Sequence, residues 1–452
     1  MNENAPHANG AHLPPLSPEQ IEKVHRATIR ILEETGMWIG NDALVEMARA
    51  RGLSVEGNVV RFTEAAVAEA ARSASNRFLL KARNPEHDIA FAPEITAVGM
   101  GRSAPFMMTA DGGRHTATPE DYLRLMKLGH SLPAIQLPSP LVNPGGIPEE
   151  ELFPFMLMAF GLSEEEMRRR AGDGVAYAQS TVNSLSPLAL EGGQGTLLIR
   201  MAELGVPLSL SPAPVAGTTG PCSVMGNVIL NNCEILGMLV MTQWIRPGLP
   251  VFYGVFPSGS DMRSMGATYG GPDSRKMEVA AAAMARHYGL LTRSNVNNDA
   301  QLPDYQGGAE SMFNLLTAFQ SRVNFLPGCG HTASFSGASA EKLVLDAELV
   351  EYVRHFACPP AGADDLEEVT ALIQQVGPRG NYVTAPHTFA NFRTELHHPD
   401  LLPRTTFEKW EGAGKTLVEM AAEKVETLLA EYEKPPIDAD LDRRLSEYCD
   451  PN

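Results

Sequence analysis

Through the middle of the chain, short apolar runs ending in Gly, Pro, Ser or Asn alternate with stretches whose apolar residues recur at helical spacing. Apolar runs that are continuous rather than alternating mark strands buried on both faces. The pattern predicts strands near 96–101, 134–141, 175–181, 207–213, 250–256, 290–296 and 323–328. Between them it predicts helices over Pro119–His130, Pro148–Phe160, Gln194–Leu204, Gly226–Trp244, Ser274–Tyr288, Ala309–Gln320 and Ala340–Phe356. A unit of roughly 35–45 residues, repeated about seven times, is the signature of a parallel β/α barrel. The expected fold class is therefore α/β, a (β/α)8 TIM-like barrel, although an eighth strand does not declare itself. The alternative is an open doubly wound sheet, but no GxGxxG follows the first strand to support it.

The flanks read differently. Residues 1–15 are polar and Pro-rich, and a disordered tail is expected there. Residues 16–95 read as an α+β elaboration. It starts at Ser17-Pro18, a cap followed by a proline suited to the first helical position. The barrel is expected over 96–363. Residues 364–452 are expected to be helical and to pack on it, with an acidic helix (DDLEEVTALIQQVG), a His-rich run and an amphipathic helix over roughly Gly414–Glu433.

Composition narrows the partners. The chain has 452 residues, 44% hydrophobic and 20% charged, with a net charge of −18. That charge repels phosphates, which argues against nucleic acid and anionic membrane surfaces. The five cysteines show no CxxC and no framework spacing, as in a reducing compartment. With no basic n-region followed by an apolar h-region, and no uninterrupted apolar run of about 18 residues, a cytoplasmic location is expected.

Candidate chemistry concentrates after the run Leu290–Leu291. Asn295, Asn297, Asn298, Asp299, Gln301, Asp304 and Gln306 place seven hydrogen-bonding side chains in twelve residues. In a β/α barrel the loop after a strand's carboxyl end is where chemistry sits. The plainer reading is that Asp304 caps the next helix and the asparagines satisfy turn backbone. Cys329-Gly330-His331 offers a thiol and an imidazole to zinc, but two ligands do not complete a site. Phe252, Tyr253 and Phe256 lie on one predicted strand, and Tyr269, Tyr305 and Phe335 on loops. Aromatic faces suit a quaternary ammonium at about 0.5–2 kcal/mol each. Tyr253 and Phe252 must face opposite sides of their strand. There is no GxxxxGK[ST], HExxH or GxSxG.

Five blocks carry a family resemblance: ADGGRHTATPEDYLRL (110–125), GTTGPCSVMGNVILNNCEILGMLVMTQ (217–243), PVFYGVFPSGSDMRSM (250–265), NNDAQLPDYQGGAES (298–311) and LVLDAELVEYVRHF (343–356). With them the chain resembles the trimethylamine methyltransferase superfamily of corrinoid-dependent methyltransferases, over nearly its whole length. The resemblance implies a β/α barrel, methylated-amine substrates, and a methyl acceptor that is the Co(I) corrinoid (cobalamin) of a separate partner protein. The founding members use pyrrolysine. Relatives lacking it, where understood, demethylate quaternary amines such as glycine betaine. This chain has only standard residues, and no DxHxxG corrinoid-binding segment is apparent in it.

The chemistry agrees with that division. A quaternary nitrogen leaves as a neutral amine, so attack by Co(I) needs no general acid, and a dry pocket helps a reaction that cancels charge. A carboxylate touching the ammonium would instead stabilise the ground state. The residues expected to act at the methyl transfer are Asn297, Gln301 and His331. Those expected to contact substrate or shape its loop are Tyr253, Phe252, Phe256, Asp299, Asp304, Gln306, Phe335 and His387, with His387 and Arg393 as candidates for a substrate carboxylate. A homo-oligomer without tightly bound metal is expected. The competing readings are a non-catalytic quaternary-amine-binding protein and a zinc-dependent lyase or hydrolase on the same barrel.

Overall fold

The computed structural model describes residues 16–143, 175–359 and 366–440, apart from Arg83, Ala110 and Pro257, together with 442, 443 and 447. The expected tail over 1–15 and the expected helix Pro148–Phe160 lie outside the described residues.

Six strands form one parallel sheet: β1 (Ala97–Met100), β2 (Ser180–Val182), β3 (Leu208–Leu210), β4 (Val251–Gly254), β5 (Leu291–Arg293) and β6 (Phe325–Cys329). Their spatial order is β2-β3-β4-β5-β6-β1. The last strand thus pairs with the first, through Phe325↔Ala97 and Leu326↔Val98. The 134–142 segment lies beside β1 through the parallel bridges Gly99↔Leu137 and Ala104↔Val142. Helices α2 (Pro119–His130), α3 (Gly192–Glu203), α4 (Val224–Ile245), α5 (Pro272–His287), α6 (Tyr305–Gln320) and α7 (Ala340–Ala357) return the chain between strands. This is a TIM-like β/α barrel. Helix α6 begins four residues earlier than the sequence suggested, because Asp304 caps it by accepting from Gly307 N at 3.1 Å. Gly307 fits in that first turn because a Cβ there would lie 2.9 Å from the Leu302 carbonyl oxygen.

The amino-terminal end of the barrel is plugged. The antiparallel pair Phe78–Leu80 and Ile89–Phe91 sends Phe78 and Phe91 against Phe252, Leu291 and Phe325 at the strand starts. Phe91 and Phe252 meet edge-on at 5.1 Å. Asn324 fastens the plug by donating Nδ2 to the carbonyls of Ala92, Pro93 and Ile95. Phe252, expected at the mouth, therefore belongs to the floor, because it stands second on β4 and points inward at the wrong end.

Helix α4 is apolar on all sides, and its 22 residues would suffice in length and composition to cross a membrane. Here the protein itself covers it: α1 (Pro18–Glu34), the helix Glu64–Ser73, α3 and α5 pack around it. The amino-terminal elaboration accordingly shares one core with the barrel, with Leu32 and Phe62 packed among Leu236 and Leu239. Two polar residues of α4, Glu234 and Asn232, find partners inside. Glu234 accepts from the Leu188 amide at 2.9 Å and from Ser184 and Ser186, while burial raises its carboxyl above the usual range. Asn232 donates to Thr28 and Tyr288 and accepts from Tyr253 Oη at 2.9 Å.

That last contact corrects the expectation for Tyr253. Its ring faces the helix layer, fully buried, rather than the mouth. Tyr253→Phe is expected to lower stability by about 1–2 kcal/mol, since Asn232 loses a buried partner. Ligand affinity, measured by calorimetry, should be unchanged.

The C-terminal region divides in two. Helix α11 (Leu417–Ala430) packs on α7 and α2, and it is shorter than expected because Thr416 and Glu419 form a capping box at its start. Between α7 and α11, helices α8 (Glu367–Val376), α9 (Pro386–Glu395) and α10 (Phe407–Ala413) bury none of their residues. The segment between α9 and α10 reaches the barrel's helix layer, where Leu401 joins the core shared by α7 and α11 and the Asp400 amide donates to Glu348 at 3.0 Å.

Candidate active site at the carboxyl ends of the strands

Side chains alternate along β5, so Leu291 at the floor implies that Arg293 points into the barrel and that Asn295 and Asn297 follow on the same side. Asn297 is buried, and its Oδ1 lies 2.8 Å from His331 Nδ1. With Asn297 accepting, the imidazole proton sits on Nδ1 and Nε2 is left as a bare lone pair. Among the side-chain hydrogen bonds of the described residues, none reaches that nitrogen. Two glycines make room for the pair. A Cβ at Gly101 would lie 2.5 Å from the His331 ring, and one at Gly328 2.6 Å from Asn297 Oδ1. Burial pushes His331 from 6.5 down to about 4, with the Arg102 backbone opposing and the Lys342 charge assisting. The ring is therefore neutral at physiological pH and is no general acid there.

This shift has a consequence for folding. An unfolded histidine takes up its proton near pH 6.5 and this one only near 4, so between those values the unfolded chain holds more protons. Stability should fall as pH drops through that window, by about 3 kcal/mol in all. Denaturant titrations at pH 7 and pH 4.5 should show His331→Asn losing less stability on acidification than the wild type.

An aromatic wall stands beside the histidine. Phe335 lies 5.2 Å from His331, 4.7 Å from Phe256 and 4.6 Å from Tyr269, measured between ring centroids. Phe335 and its neighbours Ala333 and Ser334 all adopt positive φ, a strained run of the kind that collects at functional sites. Asp299 holds the wall together: its carboxylate accepts from Tyr269 N, Gly270 N and Ser334 Oγ at 2.7–3.0 Å. Behind it, the buried pair Arg275–Glu278 (2.7 Å) ties α5 to Ser294, to the Asn295 carbonyl and to the Tyr269 carbonyl.

Arg293 is the group sequence reasoning missed. It is 9% exposed inside the barrel, yet makes no ion pair with any carboxylate among the described residues. Its Nη1 donates to Ser211 Oγ at 3.2 Å, and its guanidinium lies 5.3 Å from the Phe256 ring centre. A Cβ at Gly254 would collide with Ser211, so a glycine there keeps that contact open. Burial, and secondarily Arg102, lower the Arg293 pKa to about 9, which leaves it cationic at neutral pH. Arg293 Nε, Asn295 Nδ2 and His331 Nε2 are all buried without a hydrogen-bond partner among the described residues. Buried polar atoms are normally paired, so each of the three is open to a further partner. The available signal was an arginine at an inward parity position of a run otherwise buried on both faces.

The other expected site residues are placed elsewhere. Gln301 is exposed and donates to the Asp299 carbonyl. Gln306 is exposed and donates to Glu310. Asp304 is the cap of α6, and Tyr305 is 92% exposed. His387 and Arg393 sit on α9, outside the barrel. Cys329 is carried outward by the irregularity of β6 between Leu326 and Cys329. It packs with Leu343 behind the sheet, and burial holds its thiol protonated. Cys329 and His331 thus face opposite sides of the sheet and do not converge on a metal.

The chain matches the family model described as trimethylamine methyltransferase (MTTB) over residues 2–160 and 150–451. It is 31% identical to a glycine betaine methyltransferase of Desulfitobacterium hafniense, over 96% of each chain. It is 25% identical to a proline betaine:corrinoid methyltransferase of Eubacterium limosum, over 93% of this chain and 94% of the relative. A trimethylamine methyltransferase of Methanosarcina barkeri is 25% identical over 98% and 96%. Among solved structures, the monomethylamine methyltransferase of Methanosarcina barkeri superposes with a TM-score of 0.54 over 92% of this chain and 88% of that one, at 13% identity.

Proposed function

Because the chain belongs to the trimethylamine methyltransferase family, we propose that it transfers a methyl group from a quaternary amine bearing a carboxylate, a betaine, to the Co(I) corrinoid of a separate protein. The observation that carries the betaine is Arg293, a buried cation with no carboxylate partner among the described residues. A substrate carboxylate would supply the missing charge, and Arg293 Nε and Asn295 Nδ2 are free to donate to it. The ammonium end, repelled by the guanidinium that already meets Phe256, would then lie toward Tyr269 and Phe335. Their faces attract it without the ground-state stabilisation a carboxylate contact would bring. Asp299 is committed to backbone amides and Ser334, so it shapes the wall rather than pairing with the ammonium.

His331, neutral and fixed by Asn297, orients the wall and does not supply a proton. That suits a quaternary amine, which departs as a neutral tertiary amine once its methyl is taken in line. A tertiary substrate needs protonation, and His331 does not provide it. The names of the relatives support both halves of the reading, since two of them act on betaines and one is named for its corrinoid.

Isothermal calorimetry tests the substrate class. Glycine betaine should bind at least tenfold more tightly than choline, which has the same trimethylammonium but no carboxylate. Equal affinities would remove Arg293 as the carboxylate receptor. The competing non-catalytic binder predicts the same calorimetry but no methyl transfer.

A further inference from the structure

Between His331 and Gly337 the chain turns back on itself. His331 and Thr332 pair antiparallel with Ala338 and Gly337, and that second strand pairs in turn with Phe106 and Met107. The root of this hairpin is thus fixed on both sides, and its tip, residues 333–336, carries Phe335 to the aromatic wall. Hairpin loops of this length are most often built around a right-handed type I turn. This tip is left-handed instead. Ala333, Ser334 and Phe335 have φ of 50°, 51° and 76° in succession. Such positions are normally filled by Gly, Asn or Asp, because a larger Cβ resists left-handed backbone. Just upstream the chain does use glycine for positive φ, at Gly328 and Gly330. A tip that only had to keep its shape would be better served by the same residue.

The loop after β5 holds the tip in this form. The Ala333 amide donates to the Ala300 carbonyl at 2.8 Å, and the Ser334 amide to the Asn298 carbonyl at 3.0 Å. Between these anchors Ser334 Oγ donates to Asp299 Oδ1 at 2.7 Å. Any residue could make the two backbone bonds, but the third needs a side-chain donor. We infer that Ser334 is a positioning residue for the ammonium end of the substrate. Its bond to Asp299 latches the strained tip, which when released relaxes to the right-handed turn and withdraws Phe335 from the wall. Latched, Phe335 stands against His331, Tyr269 and Phe256; released, that side of the mouth is open. A cation held on Phe335 binds only the latched form and so favours it. The released form gives the quaternary amine its way in and the tertiary amine its way out. Position agrees with this role. His331 and Thr332 are buried, whereas Ala333, Ser334 and Phe335 are half-buried, so the tip lies between the site and solvent. The inference rests on the proposed placement of the ammonium at Phe335, and on neither the carboxylate contact at Arg293 nor turnover.

Calorimetry with tetramethylammonium chloride, which offers the cationic end alone, reads the wall without any methyl transfer. Ser334→Ala loses the latch and still resists left-handed backbone, so its Kd should rise about fivefold or more. Ser334→Gly loses the same bond but adopts the left-handed form freely, so its Kd should stay within about twofold of the wild type. A serine needed only for packing would not be replaced by removing its side chain altogether. Equal weakening in both variants, or none in either, overturns the inference. A measurement on the wild type covers a variant that does not fold. Hydrogen exchange at the amides of Ala333 and Ser334 should slow on saturation with tetramethylammonium, and unchanged exchange overturns the inference as well. If the wild type binds no tetramethylammonium, the placement of the ammonium at the wall fails and this inference falls with it. Binding that Ser334→Ala leaves unchanged removes the latch alone.

Discussion

Arg293→Gln should reduce kcat/KM for a betaine by about 30- to 1000-fold, the equivalent of roughly 2–4 kcal/mol for a desolvated charge-assisted contact. The loss should appear mainly in KM, because a carboxylate remote from the departing methyl is held equally in ground and transition states. The same substitution should change choline binding far less. Arg293→Met should separate the two roles of this position. With no ligand present, removing a buried cation that lacks a carboxylate should leave stability unchanged or raise it by about 1–3 kcal/mol. A variant that melts at or above the wild type yet no longer binds betaine identifies a residue kept for its ligand. A variant that binds betaine as tightly as the wild type shows that the carboxylate sits elsewhere.

The second large effect is on stability and lies behind His331. Lys342 and Asp346 face each other at 2.5 Å on α7, both almost completely buried. The ammonium also donates to Ser311 Oγ at 2.7 Å, and Ser311 in turn accepts from Asn298. The carboxylate accepts from the Gly330 amide at 2.8 Å. The pair therefore joins α7 to both strand ends that hold Asn297 and His331. Lys342→Met leaves Asp346 charged, buried and uncompensated, and should cost about 3–5 kcal/mol in urea denaturation. Lys342→Met/Asp346→Asn should recover part of that loss, because an amide oxygen can still accept from Gly330 without a charge to bury. If the double variant costs as much as the two single changes added, the pair is not coupled as the geometry indicates.

The strands were legible because parallel strands buried on both faces print continuous apolar runs, and β1 and β3 to β6 appear where those runs stand. The run 175–181 instead splits, with Val175–Ala176 joining the plug and Ser180–Val182 forming β2, and the run 134–141 forms only isolated bridges. Which residue of a run faces inward was not legible. Parity says only that Phe252 and Tyr253 differ. That Phe252 points into the barrel floor depends on Phe78 and Phe91, which arrive from outside the repeating units. Cys329 and His331 look adjacent in sequence, but an irregularity in β6 sends one to the helix layer and the other to the mouth, and no local signal announces it. In the loop after β5, the buried Asn297 meets His331, whereas Gln301, Asp304 and Gln306 serve loop and helix start. Polar density alone could not sort these, since capping and ligand contact draw on the same residue types. Helices α8 to α10 read from sequence as ordinary amphipathic helix, because an apolar stripe has the same spacing whether or not it is covered.

The central claim is methyl transfer, and one assay addresses it. The protein is mixed anaerobically with its corrinoid protein or free cobalamin, reduced to Co(I), and glycine betaine, and absorbance is followed. The account predicts conversion of Co(I) to methyl-Co(III) in step with release of dimethylglycine. It also predicts loss of that rate in Arg293→Gln and no reaction with trimethylamine. Betaine binding without any methyl-Co(III), with active corrinoid protein supplied, or turnover of trimethylamine but not betaine, would contradict it.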